Sequence, residues 1–361
     1  MSTLYTPLFV FWLIVAGISY LVGLSSPASA QQTPLEAHPV HPLMKAQTLL
    51  VESITLTERG LQDSTIITKT VTDRLTDTGF TIVSNPEELY DAVIRVKCEE
   101  RQTFTGPSKH RNTSPALTSR LWKGPACHIS YHYGEQFPPW KWEVHTSFED
   151  TSRAAEIAGA SDTGTFAMTA LNTQLQQDDF PLYLIAKWEQ VDRLLMLFEK
   201  SSDNIERQKT ILKLLGTLAS DQAFEVLKQA LTNPALTPTA LSALGQQGEK
   251  AIPALAANLE SSTNSDHRLA AMQALGAIAT QSKAPELFTQ FMNALDTEEP
   301  KLQTEAVKGL GNLGDRRAIP PLESLNLKTW TNPSTSPDMV GLRKMLSWSL
   351  WQLSPSAHTA E

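Results

Sequence analysis

Beyond about position 200, apolar residues recur at three- and four-residue spacing, the period of helices that bury one face. Within that pattern the dipeptide Leu-Gly occurs four times: Leu215-Gly216, Leu244-Gly245, Leu275-Gly276 and Leu310-Gly311, spaced 29, 31 and 35 residues apart. Forty residues on, Leu350-Trp351-Gln352-Leu353 echoes Leu310-Gly311-Asn312-Leu313, with Trp in place of Gly. Each Leu-Gly is followed, seven to nine residues later, by a segment that opens with Ala and ends in Leu: Ala223 to Leu227, Ala251 to Leu255, Ala284 to Leu287, Ala318 to Leu322. Two short helices repeated about every thirty residues cannot bury an apolar face alone, whereas stacked neighbours can, so the pattern predicts an α-solenoid over 203–355. Glycine at the end of the first helix lets the next helix approach its backbone. Proline early in the second helix costs little, because those amides lack intrahelical partners. The linker of the fourth unit reads as stretched from Asn326 to Pro337. Trp348 and Trp351 read as the bulky cap that seals the end.

The N-terminal half has a different rhythm. Thr48 to Leu56, Phe80 to Val83, Ala92 to Arg101, Ala126 to Tyr133 and Lys141 to Phe148 read as strands. Ser64 to Thr78 reads as a helix, with Ile67, Val71 and Leu75 at four-residue spacing and Gly79 to end it. Thr103 to Pro125 reads as a long polar loop. This order predicts an α+β domain over 43–160, an antiparallel sheet with helices on one side. Thr165 to Gln177 is a further helix. After Asp178-Asp179-Phe180-Pro181, a start signal, one capping helix carries Leu184, Ile185, Trp188, Val191, Leu195 and Phe198; these connecting helices occupy 161–202. Residues 356–361 form a tail.

Residues 1–30 carry no charged side chain, and Leu8 to Leu24 is an almost unbroken apolar run ending in Ser25-Ser26-Pro27-Ala28-Ser29-Ala30. Small residues at the last and third-last positions suit a signal peptidase, so a signal peptide cleaved after Ala30 is expected; an anchor retained over 8–24 is the alternative. Either way the rest of the chain is expected outside the cytoplasm, in the periplasm or beyond the cell. His38-Pro39 and His41-Pro42 mark 31–42 as a linker. Residues 31–200 hold 16 basic against 22 acidic residues (net −6), and residues 201–361 hold 14 against 16 (net −2). Neither half is basic, which excludes nucleic acid as the natural partner.

Cys98 and Cys127 fall on the apolar parity of their strands, and in an oxidising compartment two such thiols are expected to pair; two separate reduced core thiols are the alternative. On the polar parity of the last two strands lie His128, His132 and His145 with Glu143. These histidines are the candidate metal ligands, set against the reading of a solvated sheet face. Lys109, His110, Arg111, Arg120 and Lys123 read as solvated loop charges. No nucleophile-and-base pairing, zinc-protease motif, phosphate loop or dinucleotide fingerprint occurs, so no catalytic residue and no cofactor is assigned.

Ala306-Val307-Lys308-Gly309-Leu310-Gly311-Asn312-Leu313-Gly314-Asp315-Arg316-Arg317-Ala318-Ile319-Pro320-Pro321-Leu322 resembles the HEAT-like repeat named after phycobilisome lyases, and Arg268 to Gly276 matches its first half. The second repeat departs from the pattern by lacking the Leu-Gly-Asp turn. Some members of that family are chromophore lyases, a cytoplasmic activity at odds with export here. The strand–helix–strand opening resembles exported TolB N-terminal or CsgG-like domains. The solenoid pattern, the leader and the lack of a catalytic motif together predict an exported, non-catalytic scaffold that binds one or more protein partners, with a membrane contact only through an uncleaved leader. An envelope-assembly or quality-control factor, and a metal- or ligand-binding enzyme using the hairpin histidines, are the alternatives.

Overall fold

The computed structural model describes residues 41–100, 102–107, 118–133, 139–331 and 334–354. The leader, most of the linker, Lys109 to Arg111 and the tail lie outside them. Among the described residues no helix is long and apolar enough to cross a membrane.

A short 3₁₀ turn, Pro42–Lys45, opens the described chain, with the ring of His41 accepting from the Leu43 amide. There follow β1 (Thr48–Thr57), β2 (Gly60–Gln62), α1 (Thr65–Asp77), β3 (Thr81–Val83) and β4 (Ala92–Glu99). Next come β5 (Gln102–Pro107), β6 (Thr118–Lys123), β7 (Ala126–Tyr131) and β8 (Trp140–His145). The main sheet runs β2-β1-β4-β7-β8, with β3 beside the start of β1. It is mixed rather than antiparallel throughout: β3 and β4 both run parallel to β1. The reason is in the connections. After the short antiparallel β2, α1 carries the chain back so that β3 starts beside the start of β1, and the segment 84–91 makes a second return before β4, so both strands run with β1. The expected polar loop at 103–125 instead contains a hairpin, β5 against β6, pairing Gln102 with Lys123 through Pro107 with Thr118.

Alternation along β4 decides which face is covered. Ala92, Ile94, Val96 and Cys98 are buried, whereas Arg95 and Lys97 are exposed. Ile129 and Tyr131 of β7 and Val144 of β8 join the buried side. Over that side lies α1, whose Ile67, Val71 and Leu75 are buried as their four-residue spacing requires. After α2 (Thr151–Ile157), α3 (Thr163–Gln177) packs on the same side with Leu171 and Leu175. The helix α1 ends in a left-handed turn: Gly79 has φ +90°, its amide donates to Thr76 O, and the Phe80 amide donates to Leu75 O.

The expected single capping helix is two, α4 (Phe180–Lys187) and α5 (Val191–Lys200). Between them Glu189 adopts φ +57°, its amide donating to Ala186 O and that of Gln190 to Ile185 O. This is the same terminating turn that Gly79 makes, built without glycine, so the apolar stripe runs across the break with no sequence mark. Two side chains fasten the break to the sheet layer. Gln190 Nε2 donates to Leu43 O (2.9 Å) and Ala46 O (3.0 Å). The Arg193 guanidinium donates to Gln190 Oε1, Thr78 O and Gln47 Oε1 and lies 4.0 Å above the Phe80 ring.

The array continues with α6 (Ile205–Gly216), α7 (Asp221–Ala230), α8 (Thr237–Gln246), α9 (Ile252–Ser261), α10 (Ser265–Gln281), α11 (Glu286–Leu295), α12 (Pro300–Leu313), α13 (Ile319–Thr331) and α14 (Pro337–Leu353). Even-numbered helices from α6 to α14 each touch the next, forming one row; α7, α9, α11 and α13 flank it as a second. The fourth linker is shorter than expected, because α13 continues through Asn326 to Thr331. In the final unit, Leu342, Leu346 and Leu353 are buried, whereas Trp351 stays 59% exposed and Trp348 38%. The array is therefore sealed by the leucines, and Trp351 faces outward.

The Leu-Gly glycines are not equivalent. A Cβ added at Gly216 would lie 2.8 Å from Ala243 Cα, one at Gly245 3.0 Å from Ala274 Cα, and one at Gly311 2.7 Å from Ser349 Oγ. At Gly276 nothing lies within 4 Å, so close approach does not explain that position. Opposite outcomes follow. Gly216→Ala should destabilise by about 1–3 kcal/mol through overpacking against backbone. Gly276→Ala should stabilise by up to about 1 kcal/mol, since alanine is the better helix former. Urea unfolding followed by circular dichroism checks both; equal shifts of one sign would refute the distinction.

Candidate functional site

The surface to weigh first is the outer face of the first-helix row. The residue two before each Leu of the Leu-Gly pairs is exposed: Lys213 on α6, Ser242 on α8, Gln273 on α10 and Lys308 on α12. Trp348, two before Leu350, holds the same place on α14. Four residues on, Thr217, Gln246 and Ala277 continue the exposed line on the first three of these helices. Buried leucines behind them, Leu215, Leu244, Leu275 and Leu310, are fully covered. The repeat thus places one solvent-facing residue per helix at regular spacing, over a rigid apolar support.

The rows are tied between repeats. Gln247 Nε2 reaches back to Leu215 O, Gly216 O and Leu218 O at 3.1, 2.8 and 2.8 Å, satisfying carbonyls that the end of α6 leaves without helical partners. Ser349 Oγ donates to Val307 O (2.9 Å). On the second row, half-buried aromatics lie under cations of the following repeat: Phe224 of α7 under Lys250 (4.9 Å), and Phe288 of α11 under Arg317 (4.4 Å). None of these ties was singled out from the sequence; for the cation contacts the available signal was a basic residue just before two of the four second-helix alanines, Lys250 before Ala251 and Arg317 before Ala318.

The hairpin histidines lie on the uncovered face of the sheet. His128 sits opposite Glu143 in register. Its Nδ1 is 3.3 Å from Glu143 Oε1, and His145 Nε2 is 3.0 Å from Glu143 Oε2. His132 lies past the end of β7 and is exposed. Among the described residues no three His, Cys, Asp or Glu side chains come together as a metal site. Glu52 with Arg95 and Lys97 with Glu99 continue the same face as exposed ion pairs, each worth little in water. Arg120 and Lys123 belong to β6 rather than to a loop.

Cys98 and Cys127 face each other in register on β4 and β7 and are joined by a disulfide, both fully buried. On the same side of the sheet Tyr131, Trp140, Trp142 and Tyr183 stack in succession at 5.8, 6.3 and 4.4 Å. Trp142 Nε1 donates to Asp178 Oδ1 at 2.8 Å, and burial raises the Asp178 pKa above the usual carboxylate range.

A family model described as HEAT repeats matches residues 191–276 and 252–331. No curated protein matches the chain. Among solved structures, the crystal structures of two engineered proteins match at 19% and 16% identity, each with a TM-score of 0.34. The first match covers 57% of this chain and 97% of the other, and the second 56% and 57%. That likeness is too slight to carry an argument. The paired rows of helices and the match from Val191 to Thr331 agree, and the C-terminal part of this chain is a HEAT-like repeat array.

Proposed function

We propose that this protein is an exported, non-catalytic scaffold that grips another protein along the first-helix row of its HEAT-like array. One observation carries the reading: Lys213, Ser242, Gln273 and Lys308 repeat at equivalent exposed positions over a row in which each helix touches the next. Such a surface offers many spaced contacts to an extended partner. A buried disulfide supports the exported assignment, because disulfides persist in oxidising compartments, and the uncharged, apolar first thirty residues support it independently.

The test places a photo-crosslinking residue at Ser242 or Gln273 on the first row, and at Glu225 or Glu260 on the second, in cells that make the protein. A shared product from the first-row positions that is absent from the second-row ones is expected. Labelling from the second row alone, or from neither, would overturn the reading. Accessibility to protease added outside the inner membrane tests the compartment; a chain protected until that membrane is broken would contradict export.

A further inference from the structure

The main sheet ends at β8, whose outer edge pairs with no strand among the described residues. Which backbone groups face that edge follows from the register. The Cα atoms of Cys98 and Cys127 stand 4.0 Å apart, the short spacing of an antiparallel pair that exchanges no backbone hydrogen bonds. The amide and carbonyl of Cys127 therefore turn toward β8, where Val144 lies opposite. Two residues beyond Val144, the Thr146 amide donates to Pro125 O at 3.3 Å, which keeps the same parity. Trp140, Trp142 and Val144 thus turn their backbone groups to β7, and Lys141, Glu143 and His145 turn theirs outward.

A row of unpaired donors and acceptors is a template for another strand. The side chains decide which one. Lys141 and Glu143 are exposed on the uncovered face and carry opposite charges. Among the described residues Lys141 makes no ion pair, and the neighbours of the Glu143 carboxylate are two histidines, His128 and His145. If two copies of β8 pair antiparallel, outward residues must stand opposite outward residues, so the register shifts only in steps that keep this parity. One such register sets Lys141 against Lys141 and another Glu143 against Glu143; like charges directly opposite are unfavourable. Setting Glu143 against His145 carries the overlap past His145, where β8 ends. One register satisfies both charge and length. It sets Lys141 against Glu143 of the second copy on both sides of a two-fold axis, each pair exchanging its two backbone hydrogen bonds. Trp142 then lies opposite its own counterpart, and the ladder stops at Pro139, which has no amide to donate.

We infer that two copies of this chain pair edge to edge through β8 in that register, joining their sheets into one. A patch that is its own complement closes as a two-fold dimer and leaves no further edge of that kind. Two helical arrays are then held on one body, and a partner with repeated sites is gripped with avidity.

Sedimentation equilibrium of the mature chain up to about 1 mM, where a complex of millimolar Kd is substantially formed, should show a monomer–dimer equilibrium. Lys141→Glu and Glu143→Lys should each weaken the dimer at least about tenfold, because each turns both opposed pairs from attractive to repulsive. The double variant Lys141→Glu/Glu143→Lys restores opposite charges in the same register and should return the dimer to within about threefold of its original strength. Amide exchange by NMR reads the same edge without substitution. The Lys141 and Glu143 amides should slow as concentration rises, whereas those of Trp142 and Val144, bonded to β7, should be slow throughout. A monomer at every concentration, a dimer indifferent to the single swaps, or a double swap that leaves the chain monomeric would each overturn the inference. So would outward amides already protected in the dilute monomer, since another segment would then occupy the edge. The outcome is independent of the scaffold reading, whose crosslinking positions lie on the helical array.

Discussion

Trp188→Ala should lower the unfolding free energy by about 3–5 kcal/mol, the range for deleting a large buried aromatic. It should also turn one unfolding transition into two. Trp188 is fully buried at the end of α4, and no larger side chain is so completely covered. Its ring meets Phe80 edge-on at 5.6 Å and Tyr131 at 5.2 Å, so it contacts both the strand after α1 and the centre of the sheet. The same side chain follows the last turn of α4, where the helical array begins. Removing it leaves the array attached to the sheet layer by the stacking of Tyr183 on Trp142 and by the polar clasp of Gln190 and Arg193, whose bonds run to backbone carbonyls of Leu43, Ala46 and Thr78. A polar clasp without the apolar plug admits water, and its hydrogen bonds then exchange against solvent for little net gain. Circular dichroism at the helix band against urea would read the array, and near-ultraviolet dichroism the aromatic sheet. Coincident transitions with a loss under 1 kcal/mol would show that Trp188 does not couple the two.

Periodicity makes the array legible in the sequence. The Leu-Gly spacing, the Ala-to-Leu second helices and the match over Val191 to Thr331 are one pattern read at three levels. It was legible because each repeat solves the same packing problem with the same residue types, so sequence distance maps onto spatial distance. Where the packing differs, the pattern misled. Gly276 carries the motif, yet no neighbouring atom occupies the space in front of it. Trp351 occupies a glycine position and is 59% exposed, so it does not make the close helix approach that Gly216 and Gly245 make.

The sheet layer was legible only strand by strand. Alternation placed Cys98 and Cys127 on the apolar parity and thereby brought them to one core, but parity carries no direction. The parallel pairing of β1 with β4 depends on how α1 returns and on how the chain then passes beneath β1. There Asp91 holds the Gln47 and Thr48 amides at 2.7 and 2.8 Å. No periodicity records such a long-range contact. Glu189 shows the same limit at the scale of one residue. A left-handed turn usually advertises itself through glycine, and here it does not.

Loss of the Cys98–Cys127 bridge should cost about 3–4 kcal/mol if it acts by restricting the unfolded chain across a separation of 29 residues. Two features raise the expected effect toward that estimate. Both cysteines are fully buried between β4 and β7, the central antiparallel pair of the sheet. The segment they enclose carries the β5–β6 hairpin, which pairs with itself rather than with the main sheet, so the bridge pins its base. A Cys98→Ala/Cys127→Ala double variant should therefore melt at lower denaturant than the native protein, with secondary structure retained in its absence. The single variant Cys98→Ala should be no better, because it leaves an unpaired thiol in the same core. Burial also dictates kinetics: dithiothreitol should reduce the folded protein no faster than it opens, and addition of urea should accelerate reduction in step with unfolding. Thiol titration gives the decisive measurement. Protein purified from the envelope and denatured without reductant should expose no free thiol. Two free thiols per chain there, or a double variant as stable as the wild type, would remove both the bridge as a stabilising element and the compartment argument that rests on it.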